Sequence, residues 1–241
     1  MVALAGVGAW LALFRDTAEP VTVAEAITSF RTDTERIPEA ATPIPPGVYV
    51  YATSGYEMTD ALTGVTHRYP SRSTITVAAA ECGMSLTWRV LKGRSTEWTF
   101  CVADDAWDLR SQDERHTFFG NTERTTYVCE NTPIRPLDMS LTSWPVSCST
   151  GEARESGVAR VVSGGTIRVG DSLFPVRHVR KTTTFSGEIR GSARYDFWFH
   201  GRLGVPVRLA LVSRTTNDSP VGDVHYEEDV VLLLRSPRPR R

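Results

Sequence analysis

The chain holds almost no lysine. Lys92 and Lys181 are the only two, and the rest of its 27 basic residues are arginines. Isoleucine and asparagine are scarce as well. The arginines are spread over the whole length rather than gathered into a phosphate- or carboxylate-recognition cluster, so the bias reads as codon usage in a GC-rich genome. Neither sign of charge is in excess: 27 basic against 28 acidic residues leaves −1. No bulk field recruits nucleic acid or an anionic membrane, and a nucleic-acid partner is excluded on that ground. Metal-ligand spacing is missing too. Cys82, Cys101, Cys129 and Cys148 form no CxxC, and His67, His116, His178, His200 and His225 form no HxH or HExxH. There is no GxSxG elbow and no glycine-rich loop leading into a helix. The sequence therefore points to no metal, no cofactor and no catalytic residue, and the expectation is a non-enzymatic protein.

A spanning helix of about 20 apolar residues is also lacking. Val2 to Phe14 supply thirteen residues without a charge before Arg15 and Asp16 end the run. That length suits a signal core or part of a longer span. No basic residue precedes it, no small-x-small cleavage site follows it, and no lipid-attachment cysteine is present. The reading is a signal anchor at 1–20 whose true start lies upstream, with everything after it outside the cytoplasm. Thr22-Val-Ala-Glu25 has the form of a capping box. Val23, Ala26, Ile27 and Phe30 then share a helical face. Pro38, Pro43, Pro45 and Pro46 make the stretch up to residue 46 a stiff linker.

From residue 47 to 235 the period changes to two. Met84, Leu86, Trp88 and Val90 alternate with polar residues, and so do Trp98, Phe100 and Val102. Tyr195, Phe197 and Phe199 face one way and Trp198 the other. Val205, Val207, Leu209 and Leu211 share a face, as do Val224, Tyr226, Val230, Leu232 and Leu234. About a dozen strands with regular turn signals predict an all-β, mainly antiparallel domain: one curved sheet, half-barrel or sandwich after a single short helix. Lys92-Gly93-Arg94 and Ser163-Gly164-Gly165 read as hairpin turns; if Trp98 faces Trp88 across the first hairpin, Cys101 faces Ser85, three residues from Cys82, and a bulge at Gly83 would repair the register. Residues 131–157 read as a long loop. Asp104-Asp105 and Glu227-Glu228-Asp229 read as solvated strand ends, and 236–241 as an unstructured basic tail.

An even number of cysteines in an exported domain predicts two disulfides. Local pairing, Cys82–Cys101 and Cys129–Cys148, is the simplest of three connectivities. Trp88, Trp98, Phe118, Phe119, Tyr195, Phe197, Trp198 and Phe199 form the expected core or the wall of an apolar-ligand groove.

The segments PGVYVYAT (46–53), THRYP (66–70), Cys82-Gly83, WTFC (98–101), FFG (118–120) and Tyr127-Val-Cys129 resemble a family of membrane-anchored actinobacterial proteins of unknown function. That family transfers no activity. The last third is similar, more loosely, to bacterial envelope lipid carriers of the LolA/LppX type. The shared features are Val169-Gly170, a strand ending in Phe197-Trp198, and LGVPVR (203–208). This second resemblance implies a curved sheet around a cavity for acyl chains. Two main readings follow: an envelope scaffold that binds another envelope protein by a sheet edge or loop, or a carrier of a lipid or other apolar ligand. An envelope hydrolase is the third. The oligomeric state is not legible.

Overall fold

A computed structural model describes residues 18–34, 44–103, 106–130, 133–134, 142–201, 203–218 and 222–241. The expected anchor segment at 2–14, residues 35–43 of the linker and the Asp104-Asp105 pair lie outside them.

The described elements are α1 (Val23–Thr34), β1 (Gly47–Thr59), β2 (Val65–Arg68), β3 (Arg72–Ala80), β4 (Gly83–Leu91), β5 (Arg94–Ala103), β6 (Ala106–Phe118), β7 (Asn121–Cys129), β8 (Pro133–Ile134), β9 (Ser143–Ser149), β10 (Ala153–Val169), β11 (Ser172–Gly187), β12 (Ile189–Phe199), β13 (Pro206–Asn217) and β14 (Val224–Leu234). Every strand pairing is antiparallel. The all-β expectation holds, and the sheet curls until its ends meet. Twelve strands run around a closed barrel, with β14 pairing back onto β1 over Tyr51–Thr59. Closure removes the exposed edges that an open sheet would leave.

β1 is long enough to serve two neighbours on one side. Its first half pairs β3 and its second half pairs β2. β2 and β3 are thus one wall strand, interrupted at Tyr69-Pro70-Ser71, where proline cannot donate to a ladder. Ile44 is fully buried near one end of the barrel. It packs against Gly204, which has φ +68° and where a Cβ would stand 2.3 Å from the Ile44 side chain, so glycine is needed there on both counts.

The helix starts as its sequence dictates. Thr22 Oγ1 accepts from the Glu25 amide at 3.2 Å, and Glu25 Oε2 accepts from the Thr22 amide at 2.8 Å. Ala26 and Phe30 then bury against Val48 on the outer face of β1.

Five local expectations need correction. Residues 143–149 and 153–157 are strand, not loop: Trp144, Val146 and Cys148 alternate inward, and Pro145 takes an outward place. Gly164-Gly165 is not a turn. β10 runs through it to Val169, with a bulge between Val161 and Ser163, and the turn lies at Gly170. Trp98 faces Leu86 rather than Trp88: the hairpin loop is only Lys92-Gly93, so that Leu91 faces Arg94, and the ladder shifts by one more residue between Arg89 and Leu91. Gly93 is absent from the left-handed region; it is small because a Cβ would stand 2.7 Å from Thr117 Cβ. The C-terminal tail is placed against the start of β1. Arg240 bridges Val48, and Arg31 Nη2 donates to the Arg241 carbonyl at 2.8 Å.

Candidate functional site

Cys82 is bonded to Cys101 and Cys129 to Cys148, the local pairing. Cys129 and Cys148 are direct cross-strand partners on β7 and β9. Cys101 faces Gly83, one residue from Cys82.

The inward-facing residues divide the lumen into two halves. One half is apolar. Trp88, Trp98, Tyr195, Phe197 and Phe199, all expected in a core or groove, lie there with Ile75, Leu86, Trp107, Leu209 and Leu232. Tyr195, Phe197 and Phe199 stack in a row along β12, with centroids 5.9 and 5.5 Å apart. This half is filled. The void between Ile75, Trp98, Trp107, Phe199 and Leu209 is only about 30 Å³. Ligand pockets measure roughly 300–1,000 Å³, about ten times as much or more. Trp198 faces outward, as alternation requires. It is covered there by the His178 ring, 4.2 Å away and nearly parallel, and by the Arg208 guanidinium at 4.7 Å. Phe119 sits in the β6–β7 turn with φ 53° and does not join the apolar half.

The other half carries a buried charge network that the sequence reading missed. Arg94, at the start of β5, is 1% exposed. It donates twice to Glu228, Nε to Oε1 at 3.1 Å and Nη2 to Oε2 at 2.7 Å, and Nη1 donates to Thr96 Oγ1 at 2.7 Å. Its guanidinium also lies 5.1 Å from the Trp88 ring centroid. Glu228 is therefore no solvated strand end: it lies within β14, 2% exposed, and also accepts from the Tyr69 hydroxyl. Burial first, and then the Glu228 charge, push the Tyr69 phenol well above its ordinary value, which keeps it a donor.

Glu57 of β1 sits between two imidazoles. Its Oε1 is 3.1 Å from His67 Nδ1 and its Oε2 is 3.2 Å from His116 Nδ1, while Tyr226 donates to Oε2 at 3.3 Å. Phe118 stacks on His67 with centroids 4.9 Å apart. Glu114 approaches His116 Nε2 at 4.0 Å and accepts from Gln112, which in turn accepts from Trp98 Nε1 at 3.1 Å. Further round the wall, Glu155 accepts from Lys181 and Thr183, each at 2.8 Å. Lys181 also lies 4.2 Å from the Tyr195 ring centroid.

These groups set the electrostatics of the interior. Among the described residues, Glu57, Glu114, Glu155 and Glu228 pair with two permanent cations, Arg94 and Lys181, so the balance is 2 − 4 = −2 before the imidazoles are counted. Burial alone would raise the Glu57 carboxyl, but the bonds from His116 and His67 outweigh it and hold it down at about 2. Glu114 is likewise held at about 2 by His116 against the effect of burial. Burial and Arg94 work against the protonated form of His116, yet Glu114 and Glu57 prevail and its pKa is raised. Glu57 and His67 are buried, yet together with Leu91, Arg115 and Thr117 they line a cleft of about 220 Å³. No group of three or more His, Cys, Asp and Glu among the described residues is arranged to hold a metal ion.

No protein-family model matches the chain, and no curated protein matches it. Among solved structures, the chain is similar to the hypothetical lipoprotein YmcC from Escherichia coli (K12). The likeness has 10% identity and a TM-score of 0.31, over 90% of this chain and 98% of that one. It is too remote to carry a functional argument.

Proposed function

We propose that this protein is a non-enzymatic, membrane-anchored component of the cell envelope, with a disulfide-bonded β-barrel outside the cytoplasm acting as an interaction module. One observation carries the choice between module and lipid carrier: the apolar half of the lumen is occupied by the protein's own side chains, with a void of only about 30 Å³ among them. An acyl chain has nowhere to lie without expelling a close-packed aromatic row. Two disulfides support an oxidising compartment. The uncharged run Val2 to Phe14 supplies the anchor in this reading. With the lumen filled, binding falls to the outer wall and the turns.

Native mass spectrometry of the full chain, exported through an oxidising compartment and held in detergent, tests this. The expected result is a bare mass four hydrogens below that of the reduced chain, the deficit of two disulfides. A lipid-sized adduct that leaves on activation would overturn the filled-lumen reading in favour of a carrier. A fully reduced mass would remove the argument for export.

A further inference from the structure

The barrel is not equally sealed all round. β7 meets β9 at two residue pairs, Val128 with Ser149 and Cys129 with Cys148. Beyond them Asn121–Tyr127 continue past the end of β9 and, among the described residues, are in ladder register only with β6 on the other side. A strand paired on one side presents a row of backbone donors and acceptors along the other.

A cleft of about 250 Å³ lies along this stretch. Four successive β7 residues, Glu123 to Thr126, line it. Neighbouring residues of a strand point to opposite faces. Four in a row can line one cleft only if the cleft lies against the strand's edge, so it is the backbone of β7 that faces into it. The far wall comes from three turns at the same end of the barrel and contributes Glu152, Glu188 and Asp218.

Acidic groups dominate this cleft. Glu152 first of all, with Asp218 adding to it, holds the Glu188 carboxyl above its ordinary value, the mark of crowded negative charge. Arg190 pairs with Asp218 at 2.7 Å. Arg124, which also lines the cleft, is engaged by Asp113 at 2.8 and 2.9 Å. Glu123, Glu152 and Glu188 thus add to a negative rim beside an edge able to accept a strand.

We infer that the β7 edge is the docking surface of the module: an extended, basic segment of a partner protein adds to Asn121–Tyr127 as a further strand. Backbone hydrogen bonds hold it, and alternate Lys or Arg side chains meet Glu123, Glu152 and Glu188. This rests on the interaction-module reading above and gives that reading a site and a partner chemistry.

The probe is a short alternating Lys-Val peptide added to the full oxidised chain, followed by calorimetry and by hydrogen exchange of the backbone amides. Binding should slow exchange within Asn121–Tyr127. Alternate N-methylation of the peptide keeps its charge but removes ladder donors, and should weaken binding at least tenfold. The double variant Glu152→Gln, Glu188→Gln changes only exposed side chains, and should weaken binding about fivefold at low salt, the scale of two surface ion pairs. Failure to bind, equal binding of the N-methylated peptide, or protection confined to other strands would each overturn the proposal. The two tests separate cleanly. A lipid adduct in the mass spectrum ends the filled-lumen reading without touching the β7 result. A bare mass with no protection at β7 ends the docking proposal alone.

Discussion

Arg94 is where single residues matter most. It is a guanidinium held inside a barrel, and its worth lies in what its absence would strand. Arg94→Met removes the two bonds to Glu228 and the nearby charge at Glu57. A buried carboxylate without a partner costs about 3–5 kcal/mol, whereas exchanging a whole buried pair for apolar residues is often neutral. We therefore expect urea denaturation to show Arg94→Met strongly destabilised, and Arg94→Met with Glu228→Leu less destabilised than Arg94→Met alone. A double variant worse than the sum of the two single ones would mean the pair is not the unit. Part of this was legible. Arg94 shares its strand parity with Thr96, Trp98 and Phe100, and Glu228 shares its parity with Tyr226, Val230 and Leu232. Both charges thus fell on faces already read as inward. Reading charge as solvated by default hid them.

At the scale of elements, the disulfides and the seams they cross decide how firmly the barrel closes. Each closes a loop of separation 19, so the chain-entropy model assigns each about 3 kcal/mol. Their local consequences differ. Cys82–Cys101 joins strands that flank an extended β4–β5 ladder, whereas Cys129–Cys148 joins β7 and β9 at one of their two pairs. Replacing either pair by alanine should lower the thermal midpoint. Only Cys129→Ala with Cys148→Ala should also speed amide exchange across Asn121–Cys129 and Ser143–Ser149. Equal exchange in both double variants would show that the β7–β9 seam holds without its disulfide. The local pairing was the simplest reading of the spacing. The two-pair seam was not legible, because β9 was read as part of a loop on the strength of its prolines.

For the molecule as a whole, the interior imposes a pH optimum. Glu57 and Glu114 have folded pKa values of about 2, below the ordinary 4.5. Their stabilisation is complete above 4.5 and is lost as pH falls from there toward 2. His116 has a folded pKa raised above 6.5. Its stabilisation is complete below 6.5 and is lost as pH rises through the raised value. Stability should therefore peak between about pH 4.5 and 6.5 and decline on both sides, as thermal melts from pH 2 to 9 would show. His116→Gln should flatten the alkaline limb and shrink the acid limb, leaving the part that Glu57 retains through His67. A flat profile, or an alkaline limb unchanged by His116→Gln, would show that the network does not bind protons as its geometry requires.

Alternation at period two, interrupted by turn residues, was enough to determine an antiparallel all-β domain behind one capped helix, because that spacing fixes which side chains share a face. Cysteine number and spacing also led to the disulfide pairing found. Sequence alone did not decide that the sheet closes, that the space within it is filled, or that half of that space is charged. A strand lining a core and one lining a ligand groove alternate alike. Ladder register, the bulges in β4–β5, β5–β6 and β10–β11, and the meeting of β14 with β1 bring Glu57, His67, Arg94, His116 and Glu228 together. Those residues lie on five strands spread over most of the chain, so only the closed tertiary structure makes them neighbours.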